Sequence, residues 1–175
     1  MEHRTGWLDP VFIGLSVAGY FGLLWIGLAA PVAYLAKRNV LFSMVCTAAC
    51  VWAADLLALA LKGVIDRPRP FETIPQADPL IGATVGQSMP SGHAATSFAG
   101  AVVLTYLLPR GAPLFFLLAT AVAFSRVYVG VHYVSDILVG ALLGTAVGLA
   151  GLGLLRALRP TSAGRRRSEA VPPAG

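Results

Sequence analysis

The sequence predicts an all-α protein, a polytopic transmembrane bundle of about five spanning helices, on three observations. Hydrophobic residues fill 57% of the 175 positions and charged residues only 12%, against roughly 45–50% and about 25% in soluble domains. Mean hydropathy is +0.74. The apolar residues gather into five runs, each near the roughly 20 residues that a helix needs to cross hydrocarbon. The same composition excludes a soluble domain and a wholly disordered chain. A disulfide scaffold is excluded too, because the two cysteines, Cys46 and Cys50, stand four apart in one apolar run, where packing accounts for them.

The first run, Val11 to Ala36, holds Gly14, Gly19, Gly22, Gly27 and Pro31. It would extend about 39 Å as one helix, which predicts a tilt, a kink near Pro31, or an interfacial start. Lacking a basic leader and a small-residue cleavage site, it does not read as a signal peptide. The second run, Val40 to Leu61, follows after only Lys37, Arg38 and Asn39, so the two form a hairpin. Lys62 to Pro90 is polar and carries Pro68, Pro70, Pro75, Pro79 and Pro90; it reads as a long extracytoplasmic loop between the second and third helices. Loops of that length in a compact protein are usually functional.

Ser91 stands where a helix N-cap belongs, opening the third run, Gly92 to Leu108. After a turn at Pro109 to Pro113 the fourth run reaches Val131, interrupted by Ser125 and Arg126, and the fifth covers Ser135 to Leu155. Gly140, Gly144 and Gly148, four apart, let a neighbouring helix approach closely, within one chain ahead of a dimer seam. Residues 1–158 thus form a single transmembrane domain with its core at 40–155, and 159–175 a disordered basic tail.

A net charge of +5 does not point to nucleic acid, because the basic residues lie at membrane boundaries instead of on a soluble face. One side receives Lys37, Arg38, Arg110, Arg156, Arg159, Arg165, Arg166 and Arg167; the other receives Arg4, Lys62, Arg67, Arg69 and Arg126. Eight against five, with four of the five in chemically demanding positions, places the C-terminus in the cytoplasm and the long loop outside. The tail then anchors topology and touches anionic membrane lipid.

This topology brings the unusual residues to one membrane face. Lys62, Arg67 and Arg69 follow the second run, Ser91, Gly92 and His93 open the third, and Arg126, His132 and Asp136 join the fourth and fifth. Charges near a membrane are expensive without a purpose or partner, and four cations with two histidines and few acids suit an anion with several oxygens. Phosphate fits: arginine binds it bidentately, and the helix start at Ser91 to His93 offers free N–H groups. His132 and Asp136, four apart, share a helical face, so the carboxylate can set the ring tautomer. That makes His132 the candidate nucleophile, and His93 the candidate acid and then base. Arg67 reads either as an outer phosphate or headgroup contact or as a solvated residue paired with Asp66. Asp55, seven before Lys62 on the same face, reads as a buried structural carboxylate ahead of a catalytic one.

Three patterns stand in order: Lys62, six residues, then Arg69-Pro70; Pro90-Ser91-Gly92-His93; and Ser125-Arg126, five residues, His132, three residues, Asp136. Together they resemble the type-2 phosphatidic acid phosphatase superfamily, membrane relatives of the vanadium haloperoxidases, over residues 40–155. The resemblance implies a multi-pass lipid phosphatase of the plasma (inner) membrane with an extracytoplasmic site. Its substrate would be a lipid phosphate or diphosphate, an undecaprenyl-type polyprenyl diphosphate first, with phosphatidylglycerol phosphate and phosphatidic acid as alternatives. Transfer to an acceptor other than water, or lipid binding without catalysis, are further readings. It also implies that Lys62, Arg69, Arg126, Ser91 and the Gly92 backbone hold the phosphoryl oxygens. His132 then forms a phosphohistidine, Asp136 orients it and His93 moves the proton. No metal and no cofactor is implied, the cations taking a metal's place.

Overall fold

The computed structural model describes residues 6–74, 77–82 and 84–157; the expected tail, 159–175, lies outside them. Every regular element among the described residues is helical: α1 (Asp9–Ala18), a 3₁₀ turn (Tyr20–Gly22), α2 (Leu23–Leu35), α3 (Val40–Ile65), α4 (Pro70–Thr73), α5 (Gly92–Leu107), a 3₁₀ turn (Pro109–Gly111), α6 (Ala112–Tyr128) and α7 (Val134–Ala157).

Local chemistry sets the boundaries. Asn39 caps α3, its side chain accepting the Phe42 N–H at 2.8 Å, and α3 stops where Asp66 turns left-handed at φ 46°. Pro70 opens the four-residue α4 at a position where a missing N–H costs nothing; the Arg69 N–H is met by the Glu72 carboxylate at 2.8 Å. The segment between α3 and α5 therefore contains a helical turn.

α5 is the centre of the bundle and packs against α7, α3, α6 and α2. From Ala94 to Leu104 every residue but Phe98 is buried, and most of those residues are small. Gly140, Gly144 and Gly148 of α7 lie directly on the backbone or β-carbons of Ser91, Ala94, Ala95, Ala99 and Val102. The glycine ladder is thus an intrachain seam that lets two backbones meet.

Val40–Thr73, Pro109–Tyr128 and Val134–Ala157 are long and apolar enough to cross a membrane, and a fourth crossing is added if the bent pair Asp9–Ala18 and Tyr20–Leu35 counts as one. α5, with 16 residues, reaches about 24 Å, short of a hydrocarbon core of about 30 Å. The bend in the first run measures 54° and sits at Gly19–Gly22, where Phe21 and Gly22 take φ of 51° and 67°, and not near Pro31, which α2 accommodates. Gly22 lies against Val51 and Thr96 with no room for a side chain, so packing selects that break among the candidates in the run.

Candidate active site

The C-terminal ends of α3 and α6 and the N-terminal ends of α5 and α7 meet at one end of the bundle, around a cavity of about 720 Å³. Lys62, Arg69, Gly92, His93, Arg126 and His132 line it, with Val17, Phe21, Leu23, Leu59, Ile81 and Val85 among its apolar walls. Six of the expected site residues are therefore brought together; Ser91, Asp136 and Arg67 stand behind the lining.

The two buried arginines are held by neutral groups. Arg69 is buried and donates through Nε to the Gly86 carbonyl at 2.7 Å and through Nη1 to that of Val131 at 3.0 Å. Arg126, buried in the last turn of α6, donates through Nη1 to Ser16 Oγ. Its Nε is buried without a hydrogen-bond partner among the described residues. A desolvated guanidinium donor left unmatched is costly, and an anionic oxygen is the partner that offsets the cost most fully.

His132 sits in the turn between α6 and α7 and is buried. Its Nδ1 lies 3.3 Å from Asp136 Oδ2, which also accepts the Tyr133 N–H at 2.8 Å. With Nδ1 turned to the carboxylate, Nε2 is the nitrogen left for the cavity. Burial pushes the His132 pKa down to about 4; the Asp136 hydrogen bond opposes this, and Arg69, Arg126 and Lys62 add to it. The ring is neutral at physiological pH and keeps a lone pair. His93 Nε2 lies 3.0 Å from the Ser16 carbonyl oxygen, so that nitrogen carries the hydrogen.

One expectation changes: Arg67 is not the partner of Asp66. It bonds Asp136 Oδ1 at 2.8 Å and Ser135 Oγ at 2.6 Å and lies 4.0 Å over the Tyr133 ring, while Asp66 accepts from Gln87 at 3.0 Å. A fully buried carboxylate needs a countercharge, and Arg67 supplies it. Ser91 is fully buried and its hydroxyl oxygen accepts the Ala94 N–H at the start of α5 at 3.4 Å, as an N-cap does.

Sequence reasoning missed Ser16, which touches both His93 and Arg126 and is only one hydroxyl in an apolar run, and Ser88, which bonds Asp136. Asp55 lines the cavity, beside Gly92.

The sequence profile described as the PAP2 superfamily matches residues 39–159. The chain belongs to the PAP2 superfamily. Among similar proteins, the decaprenylphosphoryl-5-phosphoribose phosphatase of Mycolicibacterium smegmatis is 34% identical over 139 residues, covering 79% of this chain and 64% of that protein. The undecaprenyl-diphosphatase of Sulfolobus acidocaldarius is 37% identical over 93 residues, 53% of this chain and 45% of that one. This PAP2 chain thus spans less than two-thirds of either relative's length. Its fold matches the crystal structure of a transmembrane PAP2-type phosphatidylglycerolphosphate phosphatase from Bacillus subtilis with a TM-score of 0.69 and 26% identity, over 89% of this chain and 80% of that one.

Proposed function

We propose that this protein is an integral membrane lipid phosphatase that hydrolyses a polyprenyl-linked phosphate, a polyprenyl diphosphate first, through a phosphohistidine on His132. The observation that carries the reading is the cavity itself: buried Arg69 and Arg126, with Lys62, surround a neutral imidazole under apolar walls. Such a site neutralises a phosphoryl group while leaving an alkyl chain in contact with hydrocarbon. The polyprenyl choice draws on the two relatives named above, which act on decaprenyl and undecaprenyl lipids.

In this reading Lys62, Arg69, Arg126 and the Gly92 N–H hold the phosphoryl oxygens. His132 Nε2 attacks phosphorus, and the bond to the leaving oxygen breaks with its electron pair going to that oxygen. His93 supplies the proton. Water then attacks phosphorus, the P–Nε2 bond breaks with its electron pair returning to Nε2, His93 takes the water's proton, and phosphate leaves. The three cations do the work of a metal; among the described residues no group of three or more His, Cys, Asp or Glu is placed to hold one. The bent α1–α2 pair and α5 complete five crossings with α3, α6 and α7, the site faces outward, and the C-terminus is cytoplasmic.

A second reading, a monoester on a phosphosugar-bearing polyprenyl lipid, is favoured by the length of the match to the decaprenylphosphoryl-5-phosphoribose phosphatase, 79% of this chain. The test is phosphate release by the purified chain from polyprenyl diphosphate, a polyprenylphosphoryl phosphosugar, phosphatidylglycerol phosphate, phosphatidic acid and a soluble nucleotide, each with and without chelator. The diphosphate is expected to lead, chelator to have no effect, and His132→Ala to abolish both turnover and acid-labile phosphoenzyme. Fastest release from the phosphosugar lipid selects the second reading; loss on chelation restored by magnesium defeats the metal-free mechanism.

A further inference from the structure

Asp136 lies behind His132, and the motif spacing accounts for the two of them alone. The structure surrounds the carboxylate with more. Arg67 Nη1 bonds Oδ1 at 2.8 Å. Ser88, fully buried, donates its hydroxyl to Oδ2, and its Oγ lies 3.4 Å from His132 Nδ1. The Tyr133 N–H takes Oδ2 at 2.8 Å. Arg67 and Ser88 also hold each other, the Ser88 N–H donating to the Arg67 carbonyl at 2.8 Å. One clip therefore joins the chain leaving α3 to the chain entering α5 and closes on both oxygens of the carboxylate.

We propose that Arg67 and Ser88 are positioning residues that keep Asp136 as a pre-neutralised acceptor, so that it orients the His132 ring without drawing a second proton onto it. A bare buried carboxylate beside an imidazole favours the imidazolium, which has no lone pair for phosphorus. Arg67 cancels the negative charge from the side opposite the histidine, and Ser88 takes up hydrogen-bonding capacity on the oxygen that His132 shares. His132 is left as a directed, neutral ring.

The other charged or titratable groups around His132 are Asp55 and Lys62 from α3, Arg69 from the segment after α3, His93 from α5 and Arg126 from α6. Asp55 shares the cavity lining with Lys62, whereas Asp136 touches the ring itself, so Asp136 is the carboxylate whose countercharge decides the balance. Tyr133, stacked under the Arg67 guanidinium at 4.0 Å, and Ser135, at 2.6 Å from Nη1, hold the arginine in place.

This inference rests on the phosphohistidine reading above, and the two fail separately. The experiment compares the pH dependence of kcat/KM, from pH 4.5 to 8.5 on one lipid phosphate, for wild type, Arg67→Met, Arg67→Lys, Ser88→Ala and Ser88→Thr. Titration of the substrate is common to all and cancels in the ratios. The expected result is an acid limb moved upward by about one pH unit in Arg67→Met and Ser88→Ala, seen as about threefold loss at pH 4.5 with almost none at pH 8. Arg67→Lys and Ser88→Thr are expected to return the limb toward the wild-type position. A loss equal at every pH, or a limb that stays in place, overturns the positioning role. If Arg67→Met does not fold, Ser88→Ala and the Lys variant still decide, through the presence or absence of the shift. Labelling of wild type quenched in alkaline denaturant, where a P–N bond survives, is run beside them: no phosphohistidine there defeats the function reading itself, whatever the profiles do.

Discussion

Gly140→Ala is the most direct probe of how the bundle sets the site. A β-carbon at residue 140 falls 2.5 Å from the Ser91 carbonyl oxygen and 2.9 Å from Ala94 Cβ, where ordinary contact begins at 3.4 Å. The first contact alone asks for 3.4 − 2.5 = 0.9 Å of separation, and the obstacle is backbone, which no rotamer change can move. Overpacking of this kind costs about 1–3 kcal/mol, and at roughly 2–4 °C per kcal/mol in a chain of this size the midpoint should fall by about 2–12 °C. Function should suffer more. The Ser91 N–H is bonded to the Asp136 carbonyl at 3.0 Å, so parting α5 from α7 moves Gly92 and His93 away from His132; a misplacement near 1 Å costs on the order of 100-fold in rate. The assay is thermal unfolding and phosphate release on one detergent-purified sample. Gly153→Ala is the control on the same helix, where a β-carbon meets nothing within 4 Å and a gain of about 0.5–1 kcal/mol in helix propensity is expected. If Gly140→Ala matches Gly153→Ala in both midpoint and rate, the α5–α7 seam does not set the catalytic geometry.

His93→Ala should slow an alkyl phosphate by about 10²–10⁴-fold but an activated nitrophenyl ester far less, since a good leaving group needs little protonation; equal losses on both would remove His93 from the acid role. For topology, Val85 is 99% exposed on the segment between α3 and α5, a better reporter than Ala77, which is 9% exposed. Val85→Cys should react with an impermeant thiol reagent on intact cells; reaction only after permeabilisation would turn the site toward the cytoplasm.

What was legible in the sequence was what spacing and local chemistry control. Ser91 caps α5, and the runs that begin at Val40 and Gly92 are α3 and α5. The residues of the three motifs converge because consecutive helices run antiparallel, so four helix ends have to share one end of the bundle. What was not legible depended on partners distant in the chain. The first run offers five helix breakers, and only the packing of Gly22 on Val51 and Thr96 shows which one acts. Arg67 beside Asp66 reads as a local pair until α7 brings Asp136 within 2.8 Å. Ser16 is unremarked in sequence because its partners, His93 and Arg126, lie 77 and 110 residues away.

Trp25 lies ahead of the stretch that defines the superfamily, which begins at residue 39, yet it is fully buried and donates its indole N–H to Ser97 of α5 at 3.1 Å. Gly100 leaves it room: a β-carbon there would sit 2.5 Å from the indole. A boundary drawn by sequence likeness at residue 39 thus cuts through the packed interior. A fragment trimmed to it would leave a void where the indole was and strip Arg126 of its Ser16 bond. Tolerance to substitution in α1 and α2 should therefore follow the shape of what each residue covers on α5 and α6, and a position without any motif can be as constrained as a histidine in the site.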